Sequence, residues 1–255
     1  MEFLTAVHTD VGIKKQTNQD SALLMEADTD MGKVLFAVVC DGMGGLAKGE
    51  VASATLIKEY AIWFERDFPD LLYHGLTPEL LRRSMENVVQ QMNLRISAYG
   101  RGLGISLGTT VVGLVIAGGR YYCINVGDSR CYHIRDSFDL VTKDQTWIQR
   151  EMDLGRLTPE EAKVHPQRSV LLQCVGASEV IVPDFYTGDV KENEAFMLCS
   201  DGYRHLITEE EFYQYLNPAV LQDENHMFEC IKYFTDLNKY RKENDNITVV
   251  LVRTK

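Results

Sequence analysis

The chain has no uninterrupted apolar run of about 20 residues, so no stretch of it reads as a membrane-crossing helix. Its opening, MEFLTAVHTDVG, lacks the basic segment followed by an apolar one that marks an export signal. No CxxC pair occurs among the six cysteines, which stand far apart, and Cys40, Cys123 and Cys199 lie inside apolar runs. That usage suits neither a disulfide framework nor a zinc site, so buried reduced thiols are expected. Linkers, low-complexity tracts and internal repeats are missing too. These absences predict a cytoplasmic chain with one domain over residues 1–255. No heptad or apolar helix face demands an oligomer, so a monomer is expected.

Positive charge is also scarce. Lys and Arg number 26 against 37 Asp and Glu, a formal net charge of -11. A nucleic-acid surface needs a basic field and is excluded on this ground. An anionic substrate would meet repulsion unless bound cations reversed the sign locally.

What is present is ordinary globular material, 45% hydrophobic and 25% charged. Residues 5–12 alternate weakly, as an edge strand would. Residues 21–25 and 34–40 read as strands joined by a turn at 28–33. Residues 50–68 carry apolar side chains at helical spacing until Pro69, and a second helix opens at Thr77-Pro78 and runs to about Tyr99. Gly100 to Gly104 reads as a loop. Short strands follow at 109–117, 121–126 and 129–134, with turn-like connections that favour antiparallel neighbours. Capping boxes at Thr158/Glu161 and Thr208/Glu211 predict helix starts. Residues 223–240 read as a helix with Phe228, Ile231 and Phe234 facing inward, and further strands are expected at 185–186, 195–199 and 247–252. Blocks of strands and helices, rather than strict alternation, predict an α+β fold.

The stretch VVCDGMGGLAKGE (Val38 to Glu50) sets an acid and three glycines at the mouth of an apolar strand. It imitates the dinucleotide fingerprint GxGxxA, but no second strand follows and Asp41 would oppose a pyrophosphate. It misses the triphosphate loop GxxxxGK[ST] at two positions. Alone, Asp41-Gly42 would be a turn. The arrangement recurs, however: Asp20 before SALLM, Asp128 after YYCINV, Asp201 after AFMLC and Asp245 before ITVVLV. Five aspartates at strand ends suggest convergence at one end of a sheet. Crowded carboxylates repel one another, and a hard divalent cation relieves them. Oxygen donors without regularly spaced His or Cys favour Mn²⁺ or Mg²⁺ over zinc. Gly42 leaves its carbonyl free to approach such an ion. Two such ions can activate a bridging water for displacement at phosphorus.

NQDS (18–21), DGMGG (41–45), GTT (108–110), VGDSR (126–130), SDG (200–202) and DN-ITVV (245–250) together resemble the bacterial form of the metal-dependent protein phosphatase 2C family. The motifs fall in family order across nearly the whole chain. The resemblance implies a four-layer α-β-β-α sandwich, two central antiparallel sheets flanked by helix pairs. It implies hydrolysis of phosphoserine and phosphothreonine in proteins, opposing a serine/threonine kinase. By resemblance, Asp41 would bridge two Mn²⁺ or Mg²⁺ ions and the Gly42 carbonyl would bind the second. Asp201 and Asp245 would hold the first, Asp20 would act through water, and Asp128 with Asp201 would hold a third ion. A flap subdomain at about 147–169 is implied, and Lys15 stands where the family usually has a phosphate-clamping arginine. Lysine keeps that charge but loses the two-pronged contact, so weaker phosphate binding is expected. Two alternatives remain: a catalytically weak phosphatase-like binding domain, and a phosphatase of small phosphate esters. His8, His74, His133, His205 and His226 show no pairing and read as structural, His165 as a turn or surface residue, and Arg130 as half of a scaffold salt bridge.

Overall fold

A computed structural model describes residues 1–43 and 48–255. Two antiparallel sheets form the middle of the molecule. One carries, in order, β1 (Phe3–Asp10), β11 (Ile247–Thr254), β10 (Ala195–Cys199), β7 (Arg130–Ile134) and β8 (Phe138–Leu140). The other carries β2 (Asp20–Thr29), β3 (Gly32–Met43), β5 (Val111–Ala117), β6 (Arg120–Val126) and β9 (Asp184–Asp189), with the two-residue β4 (Gly108–Thr109) on β3.

The apolar run in β3 is continuous because both its faces are covered. Val34, Phe36, Val38 and Cys40 face outward onto helices, while Leu35, Ala37 and Val39 face the other sheet. The covering helices are α1 (Gly49–Arg66) and α3 (Pro78–Leu103), with the short α2 (Phe68–Tyr73) between them. Tyr60, Trp63 and Phe64 of α1 close around Phe36 at ring distances of 5.2–5.5 Å. The opposite sheet divides its side chains likewise. Ile247, Val249 and Leu251 meet α6 (Asp201–Arg204), α7 (Glu209–Leu216) and α8 (Glu224–Tyr240), while Val250 and Val252 join the middle layer. The result is the four-layer α-β-β-α sandwich.

Several local expectations need correction. The helix expected over 50–68 runs Gly49–Arg66 and does close before Pro69, but a separate short α2 follows at once, with Pro69 in its first turn, where a missing N–H is tolerated. Gly100 and Gly102 continue α3, and the chain then folds back so that Ile105 N–H donates to the Gly100 carbonyl at 3.0 Å. The strands β6 and β7 are not neighbours but belong to different sheets. Gly127 makes that crossing: its φ of 104° suits glycine, and a Cβ there would strike Thr110. Phe228 is 38% exposed, edge-on to His8, whereas Ile231 and Phe234 are buried. The short β8 and α6 carry too little periodicity to be read beforehand. Both capping boxes form as expected, at Thr158/Glu161 and Thr208/Glu211. Within the 147–169 segment lie α4 (Trp147–Asp153) and α5 (Pro159–Val164). All six cysteines are free thiols. Among the described residues no helix is long and apolar enough to cross a membrane.

Candidate metal centre

The β2–β3 register sets Asp20 directly opposite Asp41. The backbone of Asp41 is held on its other side by the GTT stretch. Its N–H donates to Thr110 Oγ1 at 3.0 Å, and its carbonyl accepts from Thr109 Oγ1 at 2.9 Å and Thr110 N at 2.8 Å. Thr110 Oγ1 in turn lies 2.7 Å from Ser129 Oγ, beside Asp128. Ser200 bridges the two sheets: its hydroxyl donates to Asp20 Oδ2 at 2.8 Å and accepts from Thr248 N at 3.1 Å. Asn246 ties the loop before β2 to β11, accepting from Gln19 N at 2.9 Å and donating to Val11 O at 2.9 Å. The recurring polar motifs are thus hydrogen-bonded to one another at one edge of both sheets.

Gly42 belongs to this weave. A Cβ there would collide with the backbone of Gln19 and Gly49, so the position admits no side chain. Gly44 and Gly45 of the DGMGG stretch, and the remainder of the rejected GxGxxA pattern through Ala47, lie outside the described residues.

The five aspartates come together electrostatically. Burial first, and then the charges of Asp20, Asp201, Asp128 and Asp245, push the Asp41 carboxyl well above the usual range. Burial pushes Asp20 up to about 7, with Asp201 and Asp245 adding to it and hydrogen bonds to Thr248 and Ser200 opposing it. Asp128 is likewise raised to about 7, by burial and by Asp201, against the pull of Arg204. Two buried oxygens, Asp20 Oδ1 and Asp201 Oδ1, have no hydrogen-bond partner. An orphaned carboxylate oxygen is costly, and two in one cluster call for a positive partner.

A divalent cation fits this donor set: all oxygen, several formal negative charges, and orphaned lone pairs facing inward. Among the described residues no three Asp, Glu, His or Cys side chains close on one point at ligand distance. Lys15 supplies the one ammonium in contact among the described residues, with Nζ 2.7 Å from Asp245 Oδ1. It sits in the loop between β1 and β2.

Sequence reasoning missed His205. Its Nε2 lies 3.4 Å from Asp201 Oδ2 and its Nδ1 3.6 Å from Glu243 Oε2. Burial opposes its charge, but Glu243 and Asp201 outweigh that and raise its pKa. The i,i+4 spacing from Asp201 was the available signal, visible once Asp201 is seen to open a helix. His133 was also read as unpaired and is not, lying 2.8 Å from Glu194 deep in the scaffold. His165 caps a turn, accepting from Gln167 N at 3.1 Å. Arg130 forms the expected scaffold bridge, donating to both Asp144 oxygens at 2.8 Å.

A sequence profile of protein phosphatase 2C matches residues 12–229. The serine/threonine protein phosphatase PstP of Mycobacterium tuberculosis is 32% identical over 250 residues, 96% of this chain. This chain spans 44% of the length of that relative. The serine/threonine phosphatase structure of S. agalactiae superposes with a TM-score of 0.85 at 26% identity, covering 100% of both chains. A PstP catalytic-domain structure in complex with two manganese ions superposes at 0.77 and 25% identity, over 98% of this chain and 97% of that one. The chain belongs to the protein phosphatase 2C family.

Proposed function

We propose that this protein is a serine/threonine protein phosphatase, hydrolysing phosphoserine and phosphothreonine in proteins with a pair of divalent cations, Mn²⁺ or Mg²⁺, and so opposing a serine/threonine kinase. The convergence of Asp20, Asp41, Asp128, Asp201 and Asp245, drawn from five separate motifs, carries this reading. Family membership and the names of the similar phosphatases support it.

In this reading Asp41, the Gly42 carbonyl, Asp201 and Asp245 hold the two cations, Asp20 acts through water, and Asp128 faces a third position. Bound there, such ions supply Lewis acidity, neutralising phosphate charge and lowering the pKa of water. The protein's own groups prepare the site. Ser200 fixes the orientation of the Asp20 carboxylate, and the GTT hydroxyls fix the Asp41 backbone. His205 positions Asp201 from behind. Lys15 brings a positive charge beside Asp245 and gives a phosphate oxygen a point contact. The 147–169 segment stands as a flap beside the same edge within one catalytic domain.

The test is turnover of p-nitrophenyl phosphate and of a phosphothreonine peptide with Mn²⁺, with Mg²⁺ and with chelator. Metal-dependent hydrolysis of both is expected, reduced by about a hundredfold or more in Asp41→Asn and Asp245→Asn variants. No turnover with either metal would overturn the reading in favour of a phosphatase-like binding domain. Hydrolysis of nucleotide or sugar phosphates in preference to the peptide would make it a small-ester phosphatase.

A further inference from the structure

A cleft of about 620 Å³ opens between the 147–169 segment and the turn that follows α8. Asp128 lines it, so the cleft begins where the carboxylate cluster ends. Ile148, Met152 and Ala162 of α4 and α5 give it an apolar wall.

Lys163, Arg168 and Lys242 also line it, all three exposed. Among the described residues none of these three side chains makes an ion pair or a hydrogen bond. The acids of the same cleft are spoken for. Asp144 receives both prongs of Arg130 at 2.8 Å and Arg204 at 3.4 Å. Glu243 accepts from the backbone N–H of Asn244 at 2.6 Å and of Asp245 at 3.0 Å, and lies 3.6 Å from His205. Asp128 Oδ2 lies 4.0 Å from the Arg204 guanidinium. On a chain of net charge -11, the cleft therefore presents three uncommitted cations beside an apolar surface.

We propose that this cleft is a specificity subsite for acidic side chains flanking the phosphorylated residue. Preferred substrates then carry Asp or Glu within a few residues of the phosphoserine or phosphothreonine. The proposal rests on the phosphatase reading of the adjoining cluster. Carboxylates are the fitting ligand rather than a second phosphate. The buried guanidinium forks of Arg130 and Arg204 are engaged with Asp144, and two of the three free cations are lysines, which offer point charges rather than a planar clamp. The apolar wall accommodates the methylenes of a glutamate or the chain between acids.

The experiment uses one phosphothreonine peptide core in three versions, with flanking Glu, Gln or Lys. Each is assayed with the wild-type protein and with a Lys163→Glu, Arg168→Glu double variant. Turnover of p-nitrophenyl phosphate serves as the control for folding and for the metal centre, and it is expected to be unchanged in the variant. For the wild type, kcat/KM is expected to rank Glu over Gln over Lys, spanning about tenfold and narrowing as salt rises. In the double variant the order is expected to reverse. Equal use of the three peptides by the wild type, or an unchanged preference in the variant, overturns the subsite and leaves the phosphatase reading standing. Hydrolysis of p-nitrophenyl phosphate with no peptide turned over overturns the protein-phosphatase reading, and the subsite with it.

Discussion

Two buried ionic clusters lie side by side in this protein and are built on opposite principles. Around Asp144, charge meets countercharge: Arg130 donates to both carboxylate oxygens at 2.8 Å, and Arg204 approaches one of them at 3.4 Å. Burial alone would raise the Asp144 pKa, but Arg204 and Arg130 outweigh it and hold the carboxyl below its ordinary range. Around Asp41, carboxylates face carboxylates, and Asp20, Asp41 and Asp128 are all raised. The first cluster is satisfied by the chain itself and fixes scaffold. The second is satisfied only in part by the chain, through Lys15 and His205, and leaves buried oxygens of Asp20 and Asp201 without a partner, which is the mark of a binding site.

Breaking each cluster should therefore move stability in opposite directions. The largest effect is expected at Asp144→Ala, which strands two guanidinium groups. Unfolding in urea should show a loss of about 3–5 kcal/mol, the usual cost of halving a buried pair. Because the folded pKa of Asp144 is depressed, its contribution is present above about pH 4, where the unfolded group ionises, and is lost as pH falls through the lower folded value.

Next in size, Asp20→Asn should stabilise the protein in chelator, by about 1–3 kcal/mol at pH 8. The sign is reversed here. A carboxyl raised to about 7 in the folded state costs folding nothing below about pH 4, where both states hold the proton, opposes it increasingly between about pH 4 and 7, and exacts its full, constant penalty above that. The advantage of the Asn variant should vanish near pH 4, as urea titrations across that range would show. A fall in stability at pH 8 would contradict the contrast between the clusters. The smallest effect belongs to a polar site outside both. Thr208→Ala removes the α7 capping box, in which Glu211 N–H donates to Thr208 Oγ1 at 3.2 Å, and a loss of about 1 kcal/mol independent of Mn²⁺ is expected by thermal melting.

The same contrast explains what was legible in the sequence. Apolar runs with covered faces, such as Val34–Cys40, declare strands, and Thr-x-x-Glu boxes declare helix starts, because each signal is local. The aspartates were legible through repetition of one local pattern at five strand ends. Pairings between distant residues were not. His133 beside Glu194 and Lys15 on Asp245 depend on how β7 lies against the start of β10 and where the loop before β2 comes to lie, which no local pattern states. The separation of β6 from β7 hinges on the single backbone angle at Gly127. Gly100 carried a local signal that tertiary packing overrode, since α3 runs through it.

Calorimetric titration of the chelator-stripped full chain with Mn²⁺ probes the Asp41 cluster most directly. Two equivalents should bind to the wild-type protein, and binding should be lost or greatly weakened in Asp41→Asn. Absence of Mn²⁺ binding to the wild type, or identical binding by Asp41→Asn, would contradict a carboxylate cluster held in place for cations.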